Sequence, residues 1–284
     1  MKPIYSRATG QEAYRTKLGI VADEIDRDFA AAVRIGTSLG IRRYEVRFLT
    51  TGRAPMCQPE ELREVERIAA GEGIEVTALS PGLFKYVDTA ADFAHDLDEV
   101  YPKAAELAHR WKLPGLIVFG FHKPGATEQN FATLPTQPVP SQVIDWLTEA
   151  AIRAESDGLA LMVEPEPICW LTGAGSWPAL PALRINYDPG NIAWFQGRDP
   201  IDHFTAATPY IANVHVKDLK PFRAGMRPEF VPAGEGIIDY GRHFAALRAS
   251  GYAGPISLEP HMDGRPETIR RCIQAFEQAW EQSI

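Results

Sequence analysis

Short apolar runs alternate along this chain with longer stretches whose apolar residues recur every third or fourth position. The runs read as strands and the stretches as amphipathic helices. Residues 17–23 (KLGIVAD) form the first strand, and Phe29, Val33, Ile35 and Leu39 carry a helix over 26–40 that Gly40 ends. The second strand, 43–49 (RYEVRFL), alternates so that Glu45 and Arg47 share a face, and a charged helix over 59–71 follows, opened by Pro59 and closed by Gly71. Strand three spans 74–80. Phe93, Leu97, Val100, Ala104 and Leu107 then mark a helix over 88–111, which Pro102 should kink or split. Strand four (116–121) precedes a segment, 122–142, with prolines at 124, 135, 138 and 140. A loop of that length over the carboxyl end of a sheet would be a lid. A helix over 143–157 leads into strand five (159–164, LALMVE). Strand six (184–188), a short helix (199–208), strand seven (211–216), a second long loop (219–237), a helix (239–251), strand eight (255–259) and a closing helix (265–283) complete the pattern. Residues 1–15 are polar and read as an arm.

Strands alternating with helices imply parallel β-α units, and eight of them close as a single-domain (β/α)8 TIM barrel over residues 1–284. An open doubly wound sheet is the alternative, but no GxGxxG follows the first strand. No linker divides the chain.

Strands five to eight each end in a side chain able to hold a metal: Glu164, Asp188, His215 and Glu259. In a barrel such ends converge on one mouth. Three carboxylates packed together repel one another unless a cation sits among them, and three oxygens with one imidazole suit a single Mn²⁺, Mg²⁺, Co²⁺ or Zn²⁺ in an open site. Alternation places Lys217 beside His215 and His261 beside Glu259, both facing a bound substrate, with Asp218 able to orient or pair with Lys217. Glu166, between two prolines, is a supporting group, a substrate ligand or a solvated carboxylate. Trp170 and Trp194 could stack on a ligand or simply pack, and Arg223 and Arg227 in the second long loop could grip an anion or be solvated. Taken singly, Asp188 opens a DPGN turn and His215 lies between valines, both ordinary structural roles. The joint pattern favours chemistry.

The formal charge of −8, with no Lys/Arg-rich run, argues against a nucleic-acid partner. No apolar stretch reaches the ~18 residues of a membrane span, and the N-terminus lacks the apolar core of a signal peptide, so a cytoplasmic protein with no membrane partner is expected. Three cysteines without a CxxC fit a reducing compartment, with Cys169 packing beside Trp170. Barrels commonly pair, which allows a homo-oligomer.

At these strand ends the chain resembles the xylose isomerase-like sugar isomerase/epimerase superfamily of metal-dependent barrels. The pieces that carry the resemblance are VEPEP with the following CWLTGAG, NYDPGN, HVKD, the GEG at 234–236, and SLEPH. The resemblance implies one divalent ion held by Glu164, Asp188, His215 and Glu259, a small-molecule sugar or polyol as substrate, and the two glutamates as acid and base on either side of a cis-enediolate. Asn191 stands where many such proteins have a His. That argues against a second or third metal and against the DNA-repair endonuclease IV branch. A dehydratase acting on an inosose-type substrate, or a noncatalytic sugar-binding protein that keeps its metal for structure, are the alternative functions.

Overall fold

The computed structural model describes residues 17–135, 137–172, 180–223 and 226–283 of the 284. The predicted arm at 1–15, and the glycines of the connection after Trp170, lie outside the described residues.

Eight strands form the barrel: β1 (Leu18–Val21), β2 (Arg43–Val46), β3 (Glu75–Leu79), β4 (Gly115–Phe119), β5 (Ala160–Glu164), β6 (Leu183–Tyr187), β7 (Ile211–Val216) and β8 (Ile256–Leu258). Their order is β3-β2-β1-β8-β7-β6-β5-β4 with every ladder parallel, and β3 and β4 pack side by side to close the ring. Every residue of β4, β5 and β6 is buried, because one face meets the helices and the other fills the barrel. Gly115 lets β4 approach β5 closely, since a Cβ there would lie 2.3 Å from the Ala160 carbonyl oxygen. Inside the barrel, Ala78, Ile117 and Met162 form a small apolar layer with Ala212. Two positions further along each strand, on the same face, stand Ser80, Phe119 and Glu164, which line the cavity at the next layer up.

The helices are α1 (Phe29–Ser38), α2 (Pro59–Glu72), α3 (Ala90–His95), α4 (Tyr101–Arg110), α5 (Ser141–Ser156), α6 (Pro189–Gln196), α7 (Ile201–Ala207), α8 (Tyr240–Ala249) and α9 (Pro266–Gln282). Asp28 caps α1 by accepting the Ala30 and Ala31 N–H groups at 2.9 and 3.2 Å. Pro102 does interrupt its helix: it removes an intrahelical donor, and a π-helical turn over Asp96–Val100 separates α3 from α4.

Two features depart from the pattern reading. The apolar run of the second strand leaves the barrel after Val46 and enters a ribbon in which Phe48–Leu49 pairs with Gly52–Arg53. The DPGN after β6 starts α6 instead of only turning, because Pro189 at the first helical position has φ preset and Asp188 Oδ1 accepts the Asn191 N–H at 2.9 Å. Among the described residues no helix is long and apolar enough to cross a membrane. Cys169 and Cys272 are buried free thiols, and burial pushes both up from the usual thiol range.

Candidate functional site

The four strand-end side chains meet. One ligand atom each from Glu164, Asp188, His215 and Glu259 lies within 4.8 Å of every other, and all four residues are buried. His215 is turned so that Nδ1 looks into the carboxylates, 3.1 Å from Glu259 Oε2, 3.7 Å from Glu164 Oε2 and 4.0 Å from Asp188 Oδ2. Its other nitrogen, Nε2, sits 2.7 Å from Glu45 Oε2 on β2. Glu164 accepts from the side-chain amides of Asn186 (3.0 Å) and Asn191 (3.1 Å). The asparagine after β6 therefore steadies a carboxylate of the cluster where a His would have added a donor.

Two cations join the cluster beside the four predicted ligands. Lys217 Nζ lies 2.6 Å from both Asp188 Oδ2 and Glu259 Oε2, and Arg47 bridges Glu259 to Asp23 and Glu24. The contact to Asp188 Oδ2 is an ion pair without the alignment of a hydrogen bond, which leaves that buried oxygen without a directed donor. Burial pushes the Asp188 carboxyl up to about 6 against the pull of Lys217. Burial acts in the same sense on Glu164 and Glu259, but it is overcome, at Glu164 by His215 and Lys217 and at Glu259 by Lys217, His215 and His261. Glu164 ends below the ordinary range and Glu259 well below it. Burial resists charge on His215, yet Glu45, Glu259 and Glu164 raise its imidazole well above the ordinary value.

The donor set fits a divalent ion: three carboxylates and a ring nitrogen converge, one carboxylate oxygen lacks a directed donor, and Glu45 fixes the ring from behind. Glu45→Gln is expected to weaken Mn²⁺ or Zn²⁺ binding by roughly 10- to 100-fold, since Gln cannot hold the Nε2–H as an acceptor of full charge. Calorimetric titration of the purified variant measures this, and unchanged affinity would remove Glu45 from the centre.

Two expectations on strand seven are corrected. Lys217 does not face the cavity: its side chain is 1% exposed and spent on Asp188 and Glu259, because the close approach of α6, whose Gly190 has no Cβ to hold it off, keeps the lysine inside. Asp218 does not pair with Lys217. Its carboxylate instead accepts the backbone N–H groups of Leu219 (2.8 Å), Gly234 (2.9 Å), Gly236 (3.0 Å) and Ile238 (3.2 Å), clasping the long loop. A Cβ at Gly236 would come within 2.3 Å of that carboxylate, which accounts for the GEG signature. The same loop is partly a ribbon, Asp218–Leu219 pairing with Phe230–Val231.

Above the cluster opens a cavity of about 210 Å³ walled by Glu164, His215 and Glu259 at its base. Glu166 reaches its wall and pairs with Lys85. His261 also lines it, held by Glu24, whose Oε1 is 2.9 Å from the His261 Nδ1 and whose Oε2 accepts the His261 backbone N–H at 2.7 Å; this grip fixes a left-handed backbone at φ 51. Arg227 is exposed at the rim, and Trp194 forms part of the wall. Trp170 is half-buried beneath Lys123 and is not among the wall residues. Glu128, from the segment after β4, reaches the cavity, and Phe131 of that segment meets Trp194 edge-on at 5.7 Å. Glu24, Glu45, Arg47 and Arg53 are wall or support residues that strand-end reasoning did not single out.

A family model described as a xylose isomerase-like TIM barrel matches residues 33–279. The L-ribulose-5-phosphate 3-epimerase UlaE of Salmonella typhi is 40% identical over 80 residues, which are 28% of this chain and 26% of that protein; the match thus spans about a quarter of this relative's length. Among solved structures, the probable 3-DHS dehydratase AsbF from Bacillus anthracis superposes with a TM-score of 0.69 at 19% identity, covering 91% of this chain and 97% of that one. An IOLI protein with a binding zinc atom gives 0.66 at 17% identity, covering 94% and 96%. At such identities the likeness of the two structures is one of fold.

Proposed function

Because the chain belongs to the xylose isomerase-like TIM barrel family, we propose that it is a divalent-metal-dependent isomerase or epimerase of a sugar or sugar phosphate. The observation that carries this reading is the convergence of two buried glutamates, Glu164 and Glu259, on His215 Nδ1 at the base of a small cavity. When bound, the divalent ion supplies polarisation of the substrate's carbonyl and hydroxyl oxygens, which acidifies the neighbouring C–H. The protein's own groups then move the proton. One glutamate, ionised, takes it to give an enediolate; for epimerisation the other, protonated, delivers a proton of its own to the opposite face, and for isomerisation a proton goes to the adjacent carbon. Their surroundings make the two unequal. Arg47 and Lys217 hold Glu259 ionised, whereas Glu164 meets the amides of Asn186 and Asn191, so Glu164 is the easier of the two to protonate.

The test is a panel of ketoses and ketose phosphates incubated with the Mn²⁺-, Mg²⁺-, Co²⁺- or Zn²⁺-loaded protein in deuterated water and followed by NMR. One member should gain deuterium beside its carbonyl together with an inverted centre or a shifted carbonyl. If none exchanges under any of the four ions, the reading falls.

The Glu24–His261 pair favours a second outcome for the same carbanion. An imidazole in the cavity wall, braced by a carboxylate through Nδ1, is placed to protonate a departing hydroxyl, which would make the reaction a dehydration. A product lighter by one water identifies it.

A further inference from the structure

Arg53, the last residue of the ribbon that leaves β2, is the one cavity-wall cation deep in the pocket without a carboxylate partner among the described residues. Arg47 is neutralised by Asp23, Glu24 and Glu259, and Lys85 by Glu166. Arg53 instead donates from Nε to the Ser80 carbonyl at 2.8 Å and from Nη2 to Ser80 Oγ at 2.9 Å. Its guanidinium carbon lies 4.8 Å from the centroid of the Phe48 ring and 5.6 Å from that of Phe119. Gly82, at φ +86, gives it room, since a Cβ there would press on Arg53 Cδ and Nε at 3.0 Å. The side chain is thus held on several sides, and the bonds to Ser80 leave its Nη1 amino group to a ligand. A partly buried cation placed this way carries a solvation cost that a neutral hydroxyl only partly offsets. Burial and the nearby Arg47 push the guanidinium down to about 10, against the weaker pull of Glu164, Asp23 and Glu166, none of which pairs with it directly.

We propose that Arg53 anchors an oxyanion of the substrate, a carboxylate or a phosphoryl group, so that the cavity selects an anionic polyol or ketose over its neutral counterpart. The inference rests on the reading of the site as one for sugars, and it names the class of sugar. Arg227, exposed at the rim over the Phe230 ring and without an ion-pair partner among the described residues, lines the same cavity. An N–H donor of a fixed guanidinium meets an oxyanion in a charge-assisted hydrogen bond, stronger than the one it makes with a neutral hydroxyl.

Calorimetry of the Mn²⁺-loaded protein with sorbitol, gluconate and sorbitol 6-phosphate tests this, because the three probes share a polyol chain and differ in charge. Gluconate or sorbitol 6-phosphate should bind at least about tenfold more tightly than sorbitol, the equivalent of a charge-assisted hydrogen bond; the stronger of the two identifies the oxyanion. Arg53→Gln should erase that gap while leaving sorbitol affinity and Mn²⁺ content as they were, and Arg53→Lys should restore part of it. Equal affinities for the three probes in the unaltered protein, which needs no variant to measure, would overturn the anchor and leave the sugar reading standing, as would a gap that survives Arg53→Gln. Failure of all three to bind would overturn the anchor and count against the sugar reading as well.

Discussion

Glu259→Gln is expected to slow deuterium exchange at the substrate carbon by on the order of 10³-fold, and Glu164→Gln to do the same, since each removes a group that carries the transferred proton. Neither change should unfold the barrel. After Glu259→Gln, Lys217 keeps its ion pair with Asp188 and Arg47 keeps Asp23 and Glu24. After Glu164→Gln, the new carbonyl oxygen can still accept from Asn186 or Asn191. Both glutamates also belong to the cluster that fits an ion, so metal content must be measured beside exchange and the ion supplied in excess. Exchange lost with the ion still bound identifies proton transfer as the missing step. Exchange undiminished in either variant would strike that glutamate from the proton path.

Removal of divalent ions with a chelator is expected to abolish turnover and lower the melting temperature, both restored by one of Mn²⁺, Mg²⁺, Co²⁺ or Zn²⁺. An ion present at a hundred times its dissociation constant stabilises the folded state by about 2.7 kcal/mol, enough for a clear thermal shift. The pH dependence has a definite sign. Carboxylates around His215 hold its imidazole protonated well above the ordinary value, and an ion must displace the Nδ1 proton. Uptake should therefore release a proton and strengthen as pH rises. Titration in buffers of different ionisation enthalpy reads that release directly. Full turnover by protein that elemental analysis finds free of metal would instead assign the balancing charge to Lys217 and Arg47 alone.

Much of this arrangement was legible in the order of residues, for a physical reason. Parallel strands buried on both faces must be apolar until they reach the mouth, so the first acidic or imidazole side chain at each end marks where the core stops: Glu164, Asp188, His215 and Glu259. The same rule hides whatever lies inside the strand. Glu45 sits within RYEVRFL, and alternation groups it with Arg47 without telling which face is inward; only closure of the ring brings it behind His215. Arg53 was beyond reach because its strand pairs locally outside the barrel. As neighbours Lys217 and Asp218 read as able to pair, whereas a strand sends adjacent side chains to opposite faces, one to the acidic cluster and the other to the backbone of the loop.

Asp188 has a consequence that reaches the cavity's upper wall. One of its oxygens begins α6 and the other lies among the acidic groups, while α6 carries Trp194, against which Phe131 leans. Roof and floor are geared together through a single carboxylate. An occupant that draws Asp188 inward tugs on the helix above it, so filling the centre and shaping the doorway are one adjustment rather than two.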